Sequence, residues 1–289
     1  MTEHPADDAA LAVPQLVVPA YFHPATHPRE WEWLAQHSAR VRLVILNLAN
    51  GPGTQPDQAC LPALGQLRAA GVCVCGYVDT NYGQRHMDEA LADLRRHVEW
   101  YRVDGVFFDR AASGPGQLGY YAELARRARE AGARLIALNH GAHPVEAYAD
   151  HADLLGTFEG PWGTYIELGV PRWVRSRPDE QFFHLVHSVP AASMADAWWL
   201  AAHRHAGCAY VTDRDGDNPW DGLPAGELAA TTPLARALAI PRAGSAGPAP
   251  RAAWPACAGG PAATGATPAP DGGARGPARG RWRRRGRAH

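Results

Sequence analysis

No lysine occurs among the 289 residues, so every basic side chain other than histidine is an arginine. That absence removes Schiff-base chemistry through a lysine amine, and with it an aldolase-type barrel of that kind. Cysteine is scarce and irregularly placed. Cys60, Cys73, Cys75, Cys208 and Cys257 form no C-x-x-C pair, which argues against a zinc or redox motif and leaves them as small buried hydrophobes. No run reaches the ~18 apolar residues of a membrane span. The opening MTEHPADDAALAVPQLVVPA has neither a basic nor an apolar leader region. As written, the protein is therefore expected to be soluble and cytoplasmic, and secreted only if the true start lies upstream. Also missing are a G-x-S-x-G elbow and the His/Asp spacing of a metal centre, so no metal site is expected.

The formal net charge of −1 hides an asymmetry. Residues 241–289 hold nine arginines and one aspartate, a net of +8, which leaves 19 arginines against 28 acids in the remaining 240 residues, a net of −9. The acidic body is unsuited to a nucleic-acid face. The segment 240–289 is Pro/Gly/Ala-rich without apolar period, and is expected to be disordered. Its ending RGRWRRRGR offers a basic patch to anionic surfaces, although a solvated tail is the simpler reading. Deleting 241–289 is expected to leave the melting temperature nearly unchanged.

Residues 1–13 read as a flexible N-terminus. From 14 to 239, short β-branched or aromatic runs alternate with helical ones. The strand candidates are 15–21, 41–47, 72–78, 103–109, 133–139, 153–159, 181–187 and 208–213. Most are near-continuous apolar runs, the pattern of strands buried on both faces of a parallel sheet. Helical patterns fill 56–71, 87–101, 116–132 and 193–207, with weaker links after the fifth and sixth strands. Eight β/α alternations predict a single-domain (β/α)8 barrel of the TIM type, an α/β fold. A doubly wound sheet is the runner-up, but YFHPATHP follows its first strand where a Gly-rich phosphate turn would stand.

A barrel carries its chemistry at the C-terminal ends of its strands. Those ends are, in order, Tyr21 with His23, Asn47, Asp79 with Tyr82, Asp109, Asn139, Glu159, His187 and Asp213. Any one of these is explained by strands ending where polar loops begin. Eight together, rich in carboxylate, amide, imidazole and phenol, suggest a sugar site. The ten tryptophans support this weakly, since flat aromatic faces stack on sugar rings.

The segments ILNLANGPGT, GYVDTNYGQR, WYRVDGVFFD, LNHGAHPVEAYADHAD, FEGPW, LVHSV and YVTDRDGDNPWDGLP resemble, in order and spacing over roughly 14–225, the spherulin-4-like family, spherulation-specific family 4. The resemblance implies a (β/α)8 barrel without cofactor, similar to endo-acting glycoside hydrolases that cut α-1,4-linked galactosamine or N-acetylgalactosamine polymers. It implies catalytic roles for Asp109, in the family's F-F-D-E pattern, and for Glu159 in TFEG. Arg110 stands where that pattern has its Glu, and is expected to hold Asp109 ionised, leaving Glu159 as the acid/base. Tyr21, Asn47, Asp79, Tyr82, Asn139, His187, Asp213 and Trp220 are expected to line a groove for a polysaccharide or oligosaccharide. His23, His184 and His203 are read as structural. The competing reading is a non-catalytic carbohydrate-binding barrel, inactivated by Arg110.

Overall fold

The computed structural model describes residues 13–224 and Gly226; the expected N-terminal segment, the end of the barrel region to 239 and the basic tail lie outside the described residues. Eight parallel strands close into one barrel in sequence order: β1 (Gln15–Ala20), β2 (Val41–Leu46), β3 (Val74–Asp79), β4 (Gly105–Asp109), β5 (Leu135–Asn139), β6 (Leu154–Pro161), β7 (Phe182–His187) and β8 (Cys208–Val211). Closure is made by β1 on β8, with Gln15 opposite Cys208 and Leu16 opposite Ala209. The open doubly wound alternative is thereby overturned.

Six α-helices lie between the strands: α1 (Pro28–Gln36), α2 (Leu61–Ala69), α3 (Met87–Arg96), α4 (Leu118–Glu130), α5 (Trp162–Tyr165) and α6 (Met194–His203). Pro28 at the first position of α1 supplies a fixed φ without wasting a hydrogen-bond donor. In α3, Asp88 and Glu89 open the helix and Arg95 and Arg96 close it, complementing its dipole. The weak helical patterns after the fifth and sixth strands correspond to a 3-10 turn at Glu146–Asp150 and to the four-residue α5.

Three strands, β3, β4 and β5, begin two residues later than expected, and β6 and β7 one residue later. The Val72 N–H is spent on the Leu67 carbonyl that ends α2, and the Asp104 carboxylate takes the Val74 N–H, so β3 and β4 start at 74 and 105. β6 runs on past Glu159 to Pro161, paired with His187, after a register shift between Gly156 and Phe158. β8 stops at Val211, two residues short of Asp213.

Alternation along each strand separates two environments. Val106 and Phe108 of β4 pack outward on Leu91 and Leu94 of α3 and Leu124 of α4. Phe107 faces inward, stacked on Tyr77 of β3 at 6.3 Å and tilted against Phe183 of β7 at 5.9 Å. Asp109, two residues on, shares that inward face at the C-terminal mouth. Among the described residues, no helix is long and apolar enough to cross a membrane.

Candidate active site

Asp109 ends β4 and Glu159 lies near the end of β6, and one side chain joins them. The Asn139 amide, at the end of β5, donates from Nδ2 to Asp109 Oδ1 at 2.7 Å and to Glu159 Oε2 at 2.5 Å. These two oxygens therefore lie within 5.2 Å, the sum of the two distances. Asp109 and Glu159 are each half-buried. The opposite amide orientation would aim Oδ1 at two carboxylates, so the network itself fixes which way the amide points.

Asp109 is held from a second side by the Tyr77 hydroxyl, which donates to Oδ2 at 2.8 Å. Burial raises the Asp109 carboxyl above its ordinary range, and the donors on Asn139, Tyr77 and the Arg110 backbone pull it back. Glu159 has fewer such donors. Burial first, and then the Asp109 charge, push it up to about 7 against the opposing bonds from Asn139 and the Trp220 side chain. Trp220 is itself buried, edge-on to His187 and to Tyr210, both at 5.8 Å. Tyr21 completes the inner group. Its hydroxyl is raised far above 10 by burial and by Asp109, while Asn47 donates to it and Tyr77 meets it edge-on at 5.7 Å.

The sequence-derived set thus divides by position. Tyr21, Asn47, Asn139, His187 and Trp220 gather around the two carboxyls. Asp79 and Tyr82 form a rim beside Asp109, and Asp213 lies exposed beyond β8. The His187 imidazole is lowered by burial, and the acid that opposes this is Asp215, not Asp213.

The expected effect of Arg110 needs correction. Its guanidinium does not hold Asp109 ionised. Arg110 sits at φ 53° in the left-handed region, which turns the side chain away from Asp109. Nη1 donates to Asp79 Oδ2 at 2.9 Å and Nη2 to Asn81 Oδ1 at 2.5 Å.

Two residues that sequence reasoning passed over are structurally central. Tyr77 was legible in principle, because it lies two residues before Asp79 and so shares its inward face. Gly156 faces Asn139: a Cβ there would come within 2.3 Å of Asn139 Oδ1 and 2.5 Å of the Phe183 ring. The bridging amide exists because position 156 has no side chain.

Of the histidines read as structural, His184 is wholly buried between Tyr165 Oη at 2.8 Å and Thr157 Oγ1 at 3.0 Å, and His203 stacks on Trp199. His23 is less plain. Among the described residues, His23, Asp57 and Cys60 bring metal-ligand-type atoms together, with Nε2 at 2.9 Å from Asp57 Oδ2 and 3.2 Å from Cys60 Sγ. The Ala25 N–H donates to Nδ1 at 3.1 Å, so the proton of the neutral ring sits on Nε2 and is given to Asp57. Burial pushes the Cys60 thiol up to about 12. As built, the three groups satisfy one another by hydrogen bonds.

The raised carboxyl of Glu159 carries a stability cost. Its folded value, about 7 against an ordinary 4.5, means that its contribution is fully present below pH ~4.5 and is lost as pH rises through 7. Glu159→Gln is therefore expected to stabilise the fold at pH 8 relative to pH 4, by up to ~3 kcal/mol. Chemical denaturation of both proteins at the two pH values checks this; an unchanged difference between them would contradict it.

The model of spherulation-specific family 4 matches residues 15–230. Spherulin-4 of Physarum polycephalum is 27% identical over an alignment of 213 positions that covers 69% of this chain and 63% of that protein, so the chain spans less than two thirds of the length of this relative. In three dimensions the chain is similar to Aspergillus clavatus Sph3, solved in complex with GalNAc, with a TM-score of 0.65, 22% identity and coverage of 74% of this chain and 94% of that one. At that identity the structural likeness speaks for the fold, whereas the family model covers nearly all of the described barrel: the chain belongs to spherulation-specific family 4.

Proposed function

We propose that this protein is a retaining glycoside hydrolase that cleaves polysaccharide containing α-1,4-linked galactosamine or N-acetylgalactosamine. The observation that carries the reading is the Asn139 bridge, which keeps the carboxyl oxygens of Asp109 and Glu159 within 5.2 Å. Retaining enzymes place their two carboxyls about 5–5.5 Å apart, whereas inverting ones leave ~6.5–9.5 Å for a water. The family relationship and the GalNAc carried by the similar Sph3 structure support the sugar class.

The two environments divide the labour. Glu159 retains a proton near neutral pH; Oε2 accepts from Asn139, which leaves Oε1 to carry it. That proton goes to the glycosidic oxygen as the bond to the anomeric carbon breaks. Asp109, held by donors that favour its anion, attacks the same carbon and forms a glycosyl ester. Water then attacks the anomeric carbon and loses its proton to the Glu159 carboxylate, as the bond from that carbon to the Asp109 oxygen breaks and frees the Asp109 carboxylate. Tyr21, Asn47, His187 and Trp220 line the sugar groove around the pair.

Incubation of the wild type with an α-1,4-linked GalNAc polymer is expected to release reducing ends and short oligosaccharides. Binding without any release would favour the non-catalytic alternative. Against that alternative stands the direction of Arg110, whose side chain goes to Asp79 and leaves the pair intact.

Tyr77→Phe tests the environment of Asp109. A hydroxyl donated to a carboxylate favours its charged form, so its loss is expected to move the acidic limb of the kcat/KM profile upward by about one pH unit, corresponding to a hydrogen bond of ~1.4 kcal/mol. A limb that stays in place would show that Asp109 does not set it.

A further inference from the structure

We propose that residues 212–223, after β8, form a clamp that pins the Trp220 indole against Glu159, with Arg214 and Asp221 as its positioning residues. The inference rests on the glycosidase reading and adds to it the device that holds the acid.

The segment contains NPWDGLP, and most of that run has a place in the clamp. Trp220 stands in a loop yet is buried, and its indole N–H is spent on Glu159. The Asn218 side chain accepts the Trp220 backbone N–H at 3.2 Å, which fixes the turn that delivers the ring. Asp221, the next residue, accepts from Arg214 Nη1 at 2.5 Å. Gly222 leaves room for that guanidinium, since a Cβ there would come within 2.6 Å of Nη2. The Gly222 carbonyl takes the Tyr210 hydroxyl at 2.8 Å, which ties the run back to β8, and Leu223 is wholly buried.

Arg214 is anchored through its own backbone. Its N–H donates to Thr212 Oγ1 at 3.1 Å, and its carbonyl accepts the Ser188 N–H at 2.8 Å, just past β7. Glu159, Leu185 and Tyr210 are successive register partners across β6, β7 and β8, which brings the indole packed on Tyr210 to the height of the acid. The Arg214–Asp221 pair is part-exposed, and such pairs contribute little by attraction alone. Its effect is geometric: it closes the loop that carries Trp220.

A donor favours the ionised form of a carboxyl, so Glu159 without the indole N–H keeps its proton to higher pH. The other titratable groups that face Glu159 are Asp109 of β4 and the Tyr21 and Tyr77 hydroxyls of β1 and β3. His187 faces Trp220, with Asp215 near it; burial lowers the imidazole, which is neutral above pH ~7. All of these stay in place in the variants that test the clamp.

The test follows the Glu159 carboxyl itself by carbon-13 NMR titration, with Glu159→Gln identifying its resonance, beside the pH profile of kcat/KM on an α-1,4-linked GalNAc oligosaccharide. Trp220→Phe keeps an aromatic ring and loses the N–H. It is expected to raise the Glu159 midpoint, and the pH at which kcat/KM declines, together by about one pH unit. Asp221→Ala should move both the same way, and Asp221→Asn, which keeps an oxygen for Arg214, should move them less. The direction is decisive at Asp221, because removing a negative charge that acted only through space would lower the midpoint. An unmoved midpoint in Trp220→Phe, or an unmoved or lowered one in Asp221→Ala, overturns the clamp and leaves the glycosidase reading standing. Should Trp220→Phe fail to fold, the two Asp221 variants decide. Midpoints that rise as stated in a protein whose wild type cleaves no oligosaccharide keep the clamp and overturn the glycosidase reading.

Discussion

Asp109→Asn is expected to reduce turnover of an α-1,4-linked GalNAc polymer by roughly a thousandfold, the scale of a lost catalytic carboxyl, with oligosaccharide affinity nearly retained. The reason is differential. Asparagine keeps the shape of the side chain and an oxygen for Asn139 Nδ2 to bond, but it cannot carry the negative charge that faces an oxocarbenium-like transition state. Glu159→Gln should fail differently. Its loss removes the proton donor, so the fall is large for a sugar leaving group and much smaller for an activated aryl glycoside, which departs without protonation. In the wild type, kcat/KM should decline as pH rises through about 7, where burial and the Asp109 charge place the loss of the Glu159 proton. Equal losses for both leaving groups in Glu159→Gln would assign the acid role elsewhere, and full turnover in Asp109→Asn would remove Asp109 from the chemistry.

Gly156→Ala is expected to couple stability to catalysis through a residue that touches no substrate. The added methyl would sit 2.3 Å from Asn139 Oδ1 and 2.5 Å from the wholly buried Phe183 ring, and neither neighbour has room to retreat. Overpacking of this kind costs about 1–3 kcal/mol. Displacing the bridging amide also separates the two carboxyls that it holds, and a misplacement of about 1 Å can cost 10²-fold in rate. Melting curves and turnover should therefore fall together. Gly119→Ala is the control: it lies at the exposed start of α4 with no atom within 4 Å of the added methyl, and should be neutral or slightly stabilising. If Gly156→Ala melts lower but turns over normally, the Asn139 bridge is not what positions the pair.

These two sites also mark what the amino-acid order makes legible. The barrel is readable because strands buried on both faces are contiguous apolar runs, and the helices between them carry helical spacing and stop signals. Asp109 and Glu159 stand out as candidates because barrels carry their chemistry where such runs end. Local geometry is not readable in the same way. At Arg110 the residue type invites an ion pair with its chain neighbour, yet a left-handed φ of 53° sends the side chain across to Asp79 on the next strand. Tyr77 is hidden inside an apolar run, and only its two-residue offset from Asp79 marks it as inward-facing. Gly156 has no side chain to read; its importance lies in the space that it leaves for Asn139, a contact between two strands that no local pattern encodes. The extension of β6 past Glu159 depends likewise on a register shift against β7.

The central claim, that Asp109 and Glu159 act together across one sugar ring, is tested most directly by following the first product by proton NMR. Carboxyl oxygens held within 5.2 Å of each other, too close for the water of an inverting enzyme, predict double displacement, so cleavage of an α-linked GalNAc oligosaccharide should first yield the α-anomer, with the β-anomer appearing later by mutarotation. Initial appearance of the β-anomer, or no new anomeric signal at all, would contradict the account.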